Sequence, residues 1–485
     1  MQISTILLLL GIFFHITLFA QNSTKTQTIK TNGQLIYNQQ KKVTTLKDFF
    51  LEGNLYGRLR NNTFYFIYNH DDTTHETHLI SALGASFVYR SALLDGFGMT
   101  LGLYGTRAFF NENSLNNVSH LKAGKDSLSR SEYINNGSNS LTAVGQANIN
   151  YLFSKTNFIL GRQLVETFYT KSNDTKMIPN TFDGLVIKTQ DIPKTKLTFA
   201  YLVKQKLRDH KSSHSLLMVG DANSSTSLKP EWTENDDSAM HKGLTYSALN
   251  AAGKPTNASL IILDLQNNSI DNLKINFSSY LVPQLLSQGM LELNYDIKYK
   301  GVKVTPAIRY IQQFDNGAGS VGGASIALKG LNGYKNKSSL NAGMIAAKIV
   351  TKIDDYKLNI AYTGVVNKAD LVTPWRGFPT SGYTRSMGMY NWRANMKSYR
   401  IELVKGANSS GVYKKPFIQT SVLYMNGDKN KEDLDSMFYY AGVVQNIPSI
   451  LALQYRLRLG YRDFVGDSSG VSDYLDARLE FNYLF

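Results

Sequence analysis

Arg456, Arg458 and Arg462 stand among Leu453, Tyr455, Leu457, Leu459 and Tyr461, so an extended chain through 450–464 turns its apolar residues one way and three guanidiniums the other. A guanidinium is a planar fork that grips carboxylate or phosphate oxygens in pairs, and a row of them makes a path for anions. Arg478 falls on the matching face of 473–485, beside Asp476, Glu480 and Asn482, while Leu475, Ala477, Leu479, Phe481, Tyr483 and Phe485 share the other face. In 53–70 the weaker alternation of Leu55, Gly57 and Leu59 places Arg58 and Arg60 on the polar side. The same logic sets Lys196, Lys204 and Lys206 against Leu197, Phe199, Tyr201 and Val203, and Lys303 and Arg309 against Val302, Val304, Ile308 and Tyr310. Glu292 and Asp296 supply acids in 289–300, which predicts separate basic and acidic walls and a transverse field between them.

Such side chains converge only if the strands carrying them close on one another. Eighteen alternating segments run from 53–70 to 473–485, and an even number lets both ends of a closed sheet lie on one side. Tight connectors such as Leu93–Gly96, Ile192–Lys194, Lys300–Gly301 and Ile447–Ser449 alternate with the long ones 111–139, 208–257, 315–337 and 367–396. The predicted fold is all-β: a transmembrane antiparallel up-and-down β-barrel of 18 strands, with long extracellular loops and short periplasmic turns. Pairing of the first and last strands makes the arginines of 53–70, 450–464 and 473–485 one basic track across the closure seam.

Residues 1–20 contain the uncharged apolar run Ile6–Phe14 before Ala20 and read as a secretory signal peptide, leaving 21–485 as a single barrel domain with a polar N-terminal lead at 21–50. The chain has no cysteine, which excludes disulfides, thiol catalysis and a lipidated N-terminal Cys. A hydrophobic fraction of 42% is what half-wetted strands produce, and 29 Tyr and 24 Phe against 10 Pro suit interfacial aromatic girdles on long strands. The net charge of +15 asks for anionic partners, but no basic run or zinc spacing points to nucleic acid.

Gly161-Arg162-Gln163, Glu166-Thr167-Phe168, Asn173-Asp174 and Met177 through Gly184 resemble the third-loop region of OprD-type outer-membrane porins. Pro374 through Arg385 is similar to the seventh-loop signature of that family's Campylobacter-like branch. The resemblance implies that the third and seventh loops fold inward and narrow the lumen, with Lys171, Asp174, Lys176, Trp375, Arg376, Tyr383 and Arg385 at the constriction. It also implies a ladder of basic residues guiding carboxylate-bearing solutes, here Arg58, Arg60, Lys196, Lys204, Arg309, Arg456, Arg458, Arg462 and Arg478. The expected function is passive, partly selective diffusion of small hydrophilic solutes such as amino acids or organic acids across the outer membrane of a Gram-negative bacterium. A structural or adhesive barrel with little flux is the alternative. Expected partners are outer-membrane lipid and lipopolysaccharide, and the barrel assembly machinery through Phe485, with the barrel a monomer or homotrimer.

Other signals carry less. His70, Asp71, Asp72, His75, Glu76 and His78 offer metal-ligand types, yet their spacing forces no convergence, so an exposed polar loop and no metal are expected. Gly317 through Gly322 has the glycine pattern of a nucleotide-binding turn without the helix and acid that must follow, and reads as a flexible loop. No serine sits in a Gly-x-Ser-x-Gly setting, and the histidines of the fourth loop, His210, His214 and His241, have no evident nucleophile. An enzyme and a cofactor are therefore not expected.

Overall fold

The computed structural model describes residues 29, 33–72, 75–110, 118–172, 177–217, 231, 239–465 and 472–485; the expected signal peptide lies outside them. Eighteen long strands form the wall. The first nine are β1 (Asn54–Tyr68), β2 (His78–Arg90), β3 (Phe97–Phe110), β4 (Ser140–Phe153), β5 (Thr156–Gln163), β6 (Thr181–Thr189), β7 (Thr195–Lys206), β8 (Leu260–Asn267) and β9 (Leu273–Val282). The remainder are β10 (Leu286–Tyr295), β11 (Val302–Asp315), β12 (Ala342–Ile353), β13 (Tyr356–Val365), β14 (Lys397–Lys405), β15 (Phe417–Asn426), β16 (Ser436–Ile447), β17 (Ile450–Phe464) and β18 (Tyr474–Leu484). Each pairs antiparallel with its neighbours in sequence, and β1 pairs with β18, so the sheet has no free edge. Closure matters in lipid, where an unpaired backbone amide has no water to turn to.

Period-two patterning becomes inside and outside as expected. Leu101, Ile149, Leu160, Ile308, Ile349 and Ile401 are exposed on the outer wall, whereas Arg58, Asn62, Asn150, Gln313, Ser398 and Glu480 on the other face are buried. At the seam the Gly57 and Phe485 backbones exchange hydrogen bonds of 2.9 and 3.1 Å. A Cβ on Gly57 would have to displace the Phe485 ring. No helix among the described residues is long and apolar enough to cross a membrane, which says nothing of a barrel.

Register slips at Gly102/Leu103 on β3, Asp183/Gly184 on β6 and Asn446/Ile447 on β16, whereas the break at Asp296 leaves it intact. Asp296 interrupts the strand after β10, and pairing with β11 resumes at Ile297–Tyr299. Between β6 and β7 the register slips at Asp183/Gly184, so that Gly184 faces Leu202 but Asp183 faces Lys204.

The rim carrying both the start of β1 and Phe485 has tight turns, with one exception at 406–416. The opposite rim carries the long loops. Loop 3 (164–180) and loop 7 (366–396), with parts of loops 4 and 6 (207–259 and 316–341), turn into the lumen and pack around Tyr169, Tyr280, Trp375, Tyr383 and Trp392. Within loop 6 the run Gly317–Gly322, expected to be flexible, is instead ordered: Ala318–Gly322 makes one helical turn, and the Gly317 and Gly319 amides donate to Asp315 Oδ1 at 2.9 and 3.0 Å. Buried carbonyls and amides in such a turn need partners, and the aspartate supplies one.

At the tight-turn rim the lead is also ordered. A short helix, Leu46–Leu51, is capped by Thr45, whose Oγ accepts from Asp48 N at 3.1 Å. Lys42–Val43 pairs parallel with Leu93–Leu94 in the β2–β3 turn.

Candidate constriction and basic chamber

Loops 3 and 7 meet because their backbones pair with each other. Lys171 N donates to Trp375 O and Gly377 N to Tyr169 O, both at 2.9 Å, bracketing a bridge between Thr170 and Arg376. This approach admits no side chain at 377: a Cβ on Gly377 would overlap the Phe168 and Tyr169 carbonyls. Arg376, beside it, adopts φ +72°, a left-handed turn that a non-glycine residue takes only when its surroundings hold it there.

Aromatic rings fill the space behind the bridge. Tyr169 meets the edge of Tyr280 at 4.7 Å, and Tyr280 meets Trp375 at 4.8 Å. Two of the three polar tips are used: Tyr280 Oη donates to Val372 O at 2.7 Å and Trp375 Nε1 to Leu216 O at 2.8 Å. A buried Tyr or Trp satisfied in this way is a rigid anchor. Gln313 on β11 holds loop 7 by accepting from Val372 N at 2.8 Å and donating to Asp370 O at 3.0 Å. Asp370 in turn ties loop 7 to loop 6, accepting from Tyr334 Oη and Ala394 N at 2.8 Å and from Ile326 N at 3.0 Å. Burial pushes the Asp370 carboxyl above its usual range, against the pull of these three donors.

Arg309, expected as a rung of the ladder, is the clamp of this constriction. From β11 its Nε donates to Glu292 on β10 at 2.8 Å, and its Nη1 to Pro379 O and Ser381 O of loop 7 at 2.7 and 2.8 Å. Its plane lies 4.9 Å from the Phe168 ring of loop 3 and 4.4 Å from the Tyr383 ring of loop 7. Lys348 on β12 completes the cradle, 4.3 Å from the Tyr383 ring and donating to Gly382 O at 3.1 Å. All of Arg309's fork is thus spent on protein.

Three of the arginines expected at the seam face one another or an acid across β17 and β18. Arg458 and Arg478 are direct cross-strand partners, and Arg456 faces Glu480. The expected separation into basic and acidic walls does not occur: Arg458 pairs with Glu480, and Arg478 Nε donates to Asp476 at 2.7 Å. Two guanidiniums directly opposite repel, and interleaved carboxylates remove that cost. Arg462 donates to Ser436 Oγ at 3.2 Å and covers the Phe464 ring at 4.2 Å.

The other predicted rungs separate from this group. Arg58 donates to Asn482 Oδ1 at 2.9 Å and to Gly33 O at 2.9 Å, and Arg60 is buried nearby. Lys196 is exposed at the tight-turn rim. Lys204 is a correction: the register slip carries it onto the row of Arg162 and Asp183, the same face as the exposed Leu160 and the half-buried Leu185, and so away from the lumen. Among the loop residues, Lys171 lies 3.7 Å from Glu166, while Asp174 and Lys176 fall outside the described residues. The His70–His78 segment forms the pairs Asp72–His75 and Glu76–His120 at 2.8 and 2.9 Å, and no group of three or more metal-ligand side chains gathers among the described residues.

Beside the constriction, on the long-loop side, lies a cavity of about 570 Å³. Ten Lys or Arg side chains line it against four Asp or Glu, so the interleaved acids do not cancel its positive charge. Arg458, Arg462 and Arg478 come from the wall and Arg376 and Arg385 from loop 7. Arg385 is stacked by Phe378 at 4.7 Å, Tyr390 at 5.3 Å and Trp392 at 5.9 Å. Lys122, Lys125, Arg208 and Lys329 reach it from long loops and were missed by sequence reasoning, because loops have no period from which facing can be read. Arg400 and Glu402, an inward pair on β14 with Arg400 Nη1 donating to Tyr383 O at 3.3 Å, were also missed. The alternation of Tyr399, Ile401 and Leu403 around them was the available signal.

Comparison with known proteins fits this architecture. The chain is similar to the crystal structures of Pseudomonas aeruginosa OccK8 (OprE), at 13% identity over 90% of this chain and 99% of that chain with a TM-score of 0.66, and of Acinetobacter baumannii OccAB3, at 14% over 90% and 99% with a TM-score of 0.65. Pseudomonas aeruginosa OpdK, solved with vanillate, is similar at 11% identity over 89% of this chain and 98% of that one, with a TM-score of 0.61. At these identities the likeness is one of fold. No curated protein matches the sequence. The model of the OprD family of outer membrane porins matches residues 50–328, more than half of the chain. With that match and a closed eighteen-strand wall, the chain belongs to the OprD family of outer-membrane porins.

Proposed function

We propose that this outer-membrane porin passes small hydrophilic solutes by passive diffusion and favours those bearing a carboxylate. The long loops face the exterior, as barrels of this topology place them. A solute then meets the basic chamber first and the loop 3–loop 7 constriction next. One observation carries the preference: ten cationic side chains against four anionic ones around a space of about 570 Å³. That volume suits a small organic molecule, and water-poor walls strengthen each charge–charge attraction inside. Arg385, stacked by three aromatic rings and with Nη1 donating to Ser386 O, holds its positive charge at the chamber wall with little conformational freedom left to lose.

The test is the reversal potential in a salt gradient for a variant carrying Arg456→Gln, Arg458→Gln and Arg478→Gln. Glu480 and Asp476 lose their partners, the wall turns acidic, and selectivity moves toward cations. Uptake of carboxylates falls relative to neutral sugars of similar size. An unchanged reversal potential in a well-folded variant refutes the role of this track.

A further inference from the structure

The lead before β1 is not a tail outside the barrel. Gly33 O accepts from Arg58, Asn38 N donates to Tyr56 Oη at 2.9 Å, and Tyr37 sets its ring 4.9 Å from Tyr56 and its hydroxyl 3.1 Å from Gln146 Nε2. Tyr56, Arg58 and Gln146 are buried inner-face residues of β1 and β4, so 33–40 lies within the lumen. Arg90, at the end of β2, donates to Asn38 O and Gln40 Oε1 at 3.2 Å each and caps the Tyr37 ring at 5.0 Å. Ile29 and Leu35 bridge to each other and are 1% and 4% exposed, a burial that a solvated leader would not have.

The segment also reaches across the seam. The unusual long turn at 406–416 packs on it, with Gly411 against Ile29 O so closely that no Cβ fits between them. That turn is fixed to the inner wall in its own right: Asn446 Oδ1 accepts from Tyr413 N at 2.8 Å, and Gln454 Nε2 donates to Gly411 O at 3.4 Å. Contacts therefore extend from the β14–β15 turn past β16, β17, β18 and β1 to β4, at the mouth opposite the long loops. The segment is tethered outside the lumen by Lys42–Val43 on the β2–β3 turn, with Leu93 N donating to Lys41 O at 2.7 Å.

We infer that residues 33–41 form an internal plug, a second constriction at the tight-turn mouth. It rests on the channel reading above and deepens it. The carbonyls of Gly33 and Asn38 occupy the forks of Arg58 and Arg90, the positions where a solute's carboxylate oxygens would bind. The lead thereby withholds the lowest rungs of the basic path from solute, and flux through this mouth requires either a passage beside the plug or its displacement about the Lys41–Lys42 tether.

Single-channel recording in planar bilayers compares the natural chain with a variant lacking 33–40 and with the pair Tyr37→Ala, Arg90→Ala, each first checked for the heat-dependent gel mobility of a folded barrel. The deletion raises conductance roughly two-fold or more, as a pore whose narrowest section widens should. The paired substitution gives frequent steps between the natural and the raised level, and it decides the matter if the deletion does not fold. Natural-level, step-free conductance in the folded variants overturns the plug while leaving the channel standing. Silence of the natural chain together with conduction by the deletion supports the plug strongly. Silence of all three, correctly folded, overturns both the plug and the channel reading.

Discussion

Replacing Arg309 with Met separates two roles that a lumen arginine can have. The guanidinium and its partner Glu292 have side chains only 7% and 8% exposed, so the substitution strands a buried carboxylate. Breaking a buried pair from one side costs about 3–5 kcal/mol. The same change removes both hydrogen bonds to loop 7 and the cation face that Phe168 and Tyr383 share. At about 1.4 kcal/mol per factor of ten, docking of the two loops weakens by about two to three and a half orders of magnitude. The expected outcome is a rise in single-channel conductance of roughly two-fold, with noisy transitions, because the constriction loses its clamp. Adding Glu292→Met restores thermal stability, since an apolar pair is an acceptable substitute for a buried ionic one, but not the natural conductance. Arg309→Lys keeps the charge and loses the fork, and falls between. The reasoning fails if Arg309→Met conducts at the natural level while anion selectivity drops: Arg309 would then be a rung after all.

Two further outcomes follow from the loops. Gly377→Val pushes the loop 3 and loop 7 backbones apart at the Phe168–Tyr169 carbonyls and is expected to raise conductance without altering the strand content seen by circular dichroism; a natural-level channel would show that the backbone pairing is not what narrows the lumen. Burial, offset by Asp209 and reinforced by His214, Arg130 and Lys206, pulls the His210 imidazole down to about 3, and burial pulls His214 down to about 4. Because the neutral rings are favoured when loop 4 is packed, its stability is complete above the free imidazole value near 6.5. It is lost as pH falls from there toward those two values, by on the order of 5 kcal/mol for His210 and 3 kcal/mol for His214. Proteolysis at Lys211 that accelerates sharply between pH 6.5 and 4 checks this, and equal rates across that window would contradict it.

How much could be read beforehand depended on periodicity. The strand set was legible because lipid on one side and water on the other leave a period-two record in every strand, strongest in β17 and β18, where Arg458 and Arg478 stand directly opposite each other. The meeting of loops 3 and 7 came from family resemblance, not from any pattern in the residues. What each cation does was illegible, since register shows the direction of a side chain but not what awaits it: Arg309 faces inward as read and is consumed by the loops. Lys204 was misplaced because one extra residue in a bulge reverses every later facing, and nothing in Tyr201–Lys204 announces it. The lead lacks alternation and so read as a polar extension. Ile29 and the apolar run Leu35-Ile36-Tyr37 were the trace of its packing, with Ile29 and Leu35 buried.

The union of β1 with β18 has a consequence for biogenesis. Arg58 finds Asn482 at a sequence separation of 424, so the earliest strand to be synthesised is among the last to acquire its second neighbour. Until then two sticky borders remain open to any passing polypeptide, and the slow kinetics of distant contacts lengthen that exposure. Lesions near Gly57 or Phe485 should therefore register first as degraded or clumped protein and only secondarily as altered permeability.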